Sequence, residues 1–216
     1  MPSRLKGYII HLDSAKEREP VIAQLQHDLS WNLTVVSASD GSVWDADPTI
    51  AKKHPWTKER ISKGNIGCTE THLRLLREAA HEERALAIFE DDCQIVAPKA
   101  AIDTFLHTDT HKAGEAWDIL LLGANEYVEA SKLVCGLNRV RRFWGTHALL
   151  LRPRAVEAVL RTFKETQAEG FFMPADWLYN EAIKRYGLIC YGPPTPRTLC
   201  RQAPGYVSAI NGGVRK

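Results

Sequence analysis

Six short apolar runs recur along this chain, at residues 7–12, 33–36, 86–89, 119–122, 147–151 and 188–191, and segments of helical period separate several of them. Runs of four to six residues bounded by polar or glycine-containing stretches read as strands. Residues 14–29 place Val21, Ile22, Leu25 and Leu29 on one face, with Ser14 as N-cap and Glu17 as its capping-box partner. Residues 71–83 stripe Leu73, Leu76 and Ala80, with Leu75 and Ala79 beside them, and residues 153–166 open on Pro153 and stripe Val156, Val159, Leu160 and Phe163. Strand alternating with helix predicts an α/β fold whose central sheet is mostly parallel and flanked by helices.

Size and composition fit that reading. At 216 residues, 44% hydrophobic and 25% charged, the chain suits a single domain, 1–216, with an irregular insertion at 41–63 and a C-terminal loop or lid at 192–216. The insertion is polar and holds Trp44, Pro48, Pro55 and Trp56. A formal charge of +2 is too balanced for a nucleic-acid binder. Arg139, Arg141 and Arg142 are a local exception, read either as a solvated turn before a strand or as a contact for an anionic acceptor or membrane surface. Cys68, Cys93, Cys135, Cys190 and Cys200 have no CxxC spacing, which argues against zinc and against a complete disulfide framework. No run of about 18 apolar residues spans a membrane, and the N-terminal apolar run is too short and broken for a signal peptide. A cytoplasmic protein is expected, with peripheral contact at the cytosolic face of a membrane as an open alternative.

The third apolar run ends in Glu90-Asp91-Asp92, three adjacent carboxylates where a strand meets the sheet edge. Their repulsion is relieved most simply by a divalent cation, and hard oxygen ligands suit Mg²⁺ or Mn²⁺, ions that commonly hold nucleotide phosphates. In open α/β sheets, ligands bind outside the carboxyl ends of strands, which is where these acids fall. A solvated acidic turn is the structural alternative. Asp13 and Arg18 follow the first strand and suit a ribose and a phosphate, or else a surface ion pair with each other. Asp40-Gly41 closes the second strand as a turn. Residues 64–72 lead through two glycines into a helix whose first amides could face an anion, with His72 near that end.

Taken in order, residues 8–18, the 38–41 turn, residues 64–76, Phe89-Glu90-Asp91-Asp92, residues 144–151 followed by Ala155, Pro174-Ala175-Asp176 and Gln202 resemble glycosyltransferase family 25, which includes bacterial lipooligosaccharide and collagen galactosyltransferases. The resemblance covers most of the chain. It implies a GT-A fold, a UDP-sugar donor, Mn²⁺ and inversion at the anomeric carbon, commonly with galactose transferred to a glycan, glycolipid or glycoprotein. One departure is Ser208-Ala209, where the family carries a serine-aspartate pair.

Under that resemblance Asp92 is the expected direct metal ligand, with Asp91 sharing the metal or holding donor hydroxyls and Glu90 orienting its neighbours. Asp13, Arg18, Asp40, His72, Glu90, Asp91 and Gln202 are the expected donor contacts. Asp176, at a helix start beside Trp177, is the expected base for the acceptor hydroxyl, and Glu126, beyond the fourth apolar run and next to Asn125, is the reserve. Two other functions stay open: a binding module of the same fold with weak or no turnover, and a metal-dependent phosphohydrolase.

Overall fold

The computed structural model describes residues 5–41, 61–112, 117–132 and 136–205. The interior of the predicted insertion (42–60), Cys135 and the Ser208-Ala209 departure lie outside them. The described strands are β1 (Leu5–His11), β2 (Leu33–Ser37), β3 (Ala85–Glu90), β4 (Cys93–Ile95), β5 (Ile119–Gly123), β6 (Glu126–Lys132), β7 (Asn138–Trp144), β8 (Ala148–Leu151), β9 (Cys190–Gly192) and β10 (Cys200–Gln202). The helices are α1 (Glu19–Leu29), α2 (Lys63–Ala79), α3 (Lys99–Thr104), which runs through a π turn into α4 (Thr110–Lys112), α5 (Pro153–Ala168) and α6 (Ala175–Tyr186).

Eight strands form one sheet in the order β2-β1-β3-β8-β5-β9-β7-β6, and β4 and β10 form a separate ribbon. The α/β class expected from the alternation stands. Parallel pairing holds through β2-β1-β3 and between β5 and β9, whereas β3-β8, β8-β5, β9-β7 and β7-β6 are antiparallel, so the sheet as a whole is mixed. Strand side chains alternate between faces. Ile9 therefore packs into a core with α1 and the 102–106 segment, while Tyr8 and Ile10 pack into a second core with α2, α5 and α6. The result is a sheet sandwiched between two helical layers.

Three sequence expectations need correction. The Ser14 capping box does not form: a 3₁₀ turn occupies Lys16–Arg18, and α1 starts after it with Pro20 in its first turn, where a missing N–H costs nothing. Ile22, Leu25 and Leu29 are buried as the periodicity requires. Helix α2 starts at Lys63, capped by Ser62, whose hydroxyl accepts from the Asn65 amide at 3.1 Å, so Gly64 and Gly67 lie inside the helix and its first amides are not at Thr71. A Cβ on Gly67 would stand 2.3 Å from the Ser39 carbonyl, and one on Gly41 1.8 Å from that of Lys63. These glycines let the turn after β2 rest directly on α2, a contact that outweighs the helix-propensity cost of roughly 1 kcal/mol per glycine. Finally, the 192–216 tail is not irregular throughout, because β10 pairs with β4 and brings Gln202 opposite Cys93.

Candidate active site

Parallel pairing of β1, β2 and β3 brings their carboxyl ends to one edge, with Ile10 opposite Glu90 and His11 opposite Ser37. Strand β8 runs the other way, so the segment entering it arrives at the same edge, where the Glu90 amide donates to the His147 carbonyl at 3.0 Å. The Asp92 carbonyl accepts from the Ala203 amide at 2.6 Å, which fastens the end of β10 there too.

The three acids then separate by environment. Asp91 is 4% exposed and turned inward. One of its oxygens is bonded by Arg18; the other meets His11 Nδ1 at 2.9 Å and the Leu12 amide at 3.1 Å. Arg18 is likewise buried, and although burial opposes its charge, Asp91 and then Asp92 hold it firmly protonated. A surface pair between Asp13 and Arg18 is therefore not what forms: Asp13 is exposed, and Arg18 ties the loop after β1 to the tip of β3. With both oxygens engaged, Asp91 acts as an internal counter-ion to Arg18.

Asp92, 3% exposed, accepts from Gln202 Nε2 at 3.4 Å, which joins two residues singled out from opposite ends of the sequence. Glu90 accepts from Thr146 Oγ1 at 2.5 Å and lies 3.7 Å from His72 Nε2. Burial would raise its pKa, but the nearby His72, then Thr146 and His147, outweigh it and bring it down to about 2. His72 is buried in the middle of α2, its Nδ1 3.1 Å from the Tyr179 hydroxyl, so it reaches the site from below rather than from a helix end.

Asp176 stands in the first turn of α6 and meets the Gly145 amide at 3.3 Å and the Trp177 amide at 2.9 Å. Burial raises its pKa and Glu90's charge adds to this, against the pull of the two amides. Gly145-Thr146 thus links both carboxylates: one residue bonds Asp176 and the next bonds Glu90. Gly145 has φ +86, and a Cβ there would lie 2.7 Å from Asn125 Nδ2, so only glycine fits this bridge. Glu126 is exposed at the start of β6, paired with Trp144, and makes no described contact with Asp176. Asp40 is half-buried in the turn against α2.

Among the described residues, Cys68, His72 and Glu90 bring three ligand atoms within 4.8 Å of one another. Burial and the charges of Glu90 and Asp176 push the Cys68 thiol well up, so it stays protonated and is a poor ligand at neutral pH. The carboxylates of Glu90 and Asp92 offer harder oxygen donors, of the type that suits Mn²⁺ or Mg²⁺. His11, Gly145 and Thr146, which lie in the quoted blocks without a role of their own, bond the acids directly, and Tyr179, which the sequence did not single out, bonds His72 behind them. Their partners lie far away in sequence, and no local pattern signals such pairing.

The chain belongs to glycosyltransferase family 25 (LPS biosynthesis protein), whose model matches residues 4–139. The Gly145-Thr146 link, Asp176 and Gln202 fall beyond the matched part. No curated protein matches the chain. Among solved structures, one described as a glucose-1-phosphate thymidylyltransferase from Bacillus anthracis with bound sucrose is similar at 8% identity and TM-score 0.47, over 92% of this chain and 89% of that one. A Drosophila galactosyltransferase crystallised with manganese, UDP-Gal and xylobiose is similar at 10% identity and TM-score 0.43, over 92% of this chain and 70% of that one. At such scores the assignment rests on the family match alone.

Proposed function

We propose that this glycosyltransferase is an inverting, metal-assisted hexosyltransferase that moves galactose from UDP-galactose to a hydroxyl of a glycan, glycolipid or glycoprotein. Family membership supports sugar transfer. The observation that carries the finer reading is the pair of carboxylates joined through Gly145-Thr146, Glu90 with a lowered pKa and Asp176 with a raised one, beside Asp92 at the sheet edge. Two acids driven apart in this way suit one to remain charged and the other to exchange a proton.

In this reading Asp92 and Glu90 would hold a divalent cation, and their hard oxygens fit one. The bound ion would supply Lewis-acid stabilisation of the departing diphosphate. Asp91, Arg18 and His11 keep the tip of β3 fixed, and Gln202 orients Asp92. Asp176 takes the proton of the acceptor hydroxyl as its oxygen bonds to the anomeric carbon from the face opposite UDP. The bond from that carbon to the phosphate oxygen breaks, and the proton passes to solvent. A raised pKa makes Asp176 a stronger base than a free carboxylate. Cys68, Cys93, Cys190 and Cys200 are free thiols, which suits a reducing, cytoplasmic setting; among the described residues no helix is long and apolar enough to cross a membrane.

UDP release from UDP-galactose with Mn²⁺, followed with and without lipopolysaccharide core oligosaccharides, tests the proposal. Release that needs the oligosaccharide supports transfer. Equal release in its absence marks a hydrolase, and binding of UDP-galactose with no release under either condition marks a binding module.

A further inference from the structure

A groove of about 810 Å³ opens between α6 and the β6-β7 strands, within the size range of small-ligand sites. Its lining includes Trp177, next in sequence to Asp176, and four basic side chains, Arg139, Arg141, Arg142 and Lys184. Among the described lining residues the single acid, Glu181, is bonded to Arg185 at 2.8 Å and lies 3.8 Å from Lys184. The whole chain carries a net charge of only +2, so this is a local concentration of positive charge.

Two backbone features hold it there. Val128 opposes Arg142 and Glu129 opposes Val140, which leaves Arg141 as the extra residue of a β-bulge. A bulge changes which way side chains face, and here Arg141 and Arg142 are both exposed while Val140 and Phe143 on either side are buried. Arg142 lies 5.1 Å from the Trp144 ring centroid, which limits its range of orientations. The opposite wall is fixed by Asn180, whose side-chain oxygen accepts from the Phe143 amide at 2.9 Å and whose amide donates to the Phe143 carbonyl at 2.7 Å. Among the described residues neither Arg141 nor Arg142 has a carboxylate partner.

We infer that this groove is the acceptor subsite and that it selects a saccharide bearing a phosphate or carboxylate near the hydroxyl to be glycosylated. This rests on the transferase reading and adds the acceptor's charge to it. Guanidinium groups match the planar oxygens of both anions. An aromatic face at Trp177 next to Asp176 suits the sugar ring, and the arginines meet its anionic substituent.

The test is titration of the full chain with galacturonic acid and glucose 6-phosphate, with galactose and glucose as neutral counterparts, and with phosphatidylglycerol vesicles as a separate arm. The Arg141→Ala/Arg142→Ala variant is compared throughout, and UDP with Mn²⁺ is titrated as the donor-side control. At least one anionic sugar is expected to bind about tenfold tighter than its neutral counterpart, a factor equivalent to ~1.4 kcal/mol, and to lose that margin in the variant while UDP binds both proteins equally. No anionic preference in the parent, or the same preference in the variant, overturns the inference. Vesicle binding without any saccharide preference overturns it in favour of a membrane contact. Loss of UDP binding by the parent, with the saccharide preference intact, removes the donor reading and leaves the groove assignment standing.

Discussion

The acidic tip of β3 and the basic groove along β7 both concentrate charge, yet they are built in opposite ways. At the tip, Asp91 and Asp92 are almost fully buried and bonded to Arg18, His11 and Gln202, partners that reach them from two other parts of the chain. In the groove, Arg141 and Arg142 are exposed and remain in water. A buried charge must be matched before any ligand arrives, because desolvation without a partner costs several kcal/mol. An exposed charge costs little to keep and contributes mainly when a ligand excludes water around it. The tip is therefore assembled before any ligand arrives, which suits the proposed donor site, and the groove stays solvated until filled, which suits the proposed acceptor surface.

The effects that separate the regions most are expected from the carboxylates. Asp92→Asn should lower turnover by roughly 10²–10³-fold, the usual loss when a principal electrostatic group is removed, and should weaken UDP binding; retained activity would break the contrast. Asp176→Asn should lower turnover by about 10²–10⁴-fold while leaving UDP affinity intact, as steady-state rates and titration would show. Because burial raises the folded pKa of Asp176, the stability it contributes is fully present below the ordinary aspartate pKa of 3.8 and is lost as pH rises through the raised value. Asp176→Asn should accordingly melt higher than the parent at pH 7, with the difference closing as pH falls below that range, and activity should rise with pH through an apparent pKa above 3.8. A melting difference that grows at acid pH would contradict this.

Smaller effects test the connection between the regions. Gly145→Ala forces a side chain into positive φ and against Asn125, at a cost on the order of 1–3 kcal/mol; activity should fall with stability, since both carboxylates hang from this dipeptide. Asn180→Ala strands the Phe143 amide and carbonyl, a loss of about 1–3 kcal/mol by denaturant unfolding. The Arg141→Ala/Arg142→Ala pair should change stability by less than about 0.5 kcal/mol, as befits exposed positions.

What the sequence made legible follows the same division. Strands β1, β3, β5 and β8 could be read because each buries a continuous apolar run, whereas β2, exposed over most of its length beyond Leu33, could be read only from its apolar and β-branched composition. Glu90, Asp91 and Asp92 stood out because acids at the end of such a run need a reason. Strand β7 was hidden: its buried residues Val140 and Phe143 are three apart, since the bulge at Arg141 breaks the two-residue period, and the arginines read as a turn. The start of α2 was hidden by glycines whose purpose is contact with a distant turn. The different tasks of Asp91 and Asp92 were hidden as well, because Arg18 and His11 reach Asp91 from 73 and 80 residues away.

The most direct measurement is calorimetric titration of UDP, with and without Mn²⁺, into the parent protein, Asp92→Asn and Arg141→Ala/Arg142→Ala. Mn²⁺-dependent binding that falls at least about tenfold in Asp92→Asn, ~1.4 kcal/mol or more, and stays unchanged in the arginine variant is the predicted result. Equal UDP affinity in the parent and Asp92→Asn would contradict the assignment of the acidic tip as the donor site.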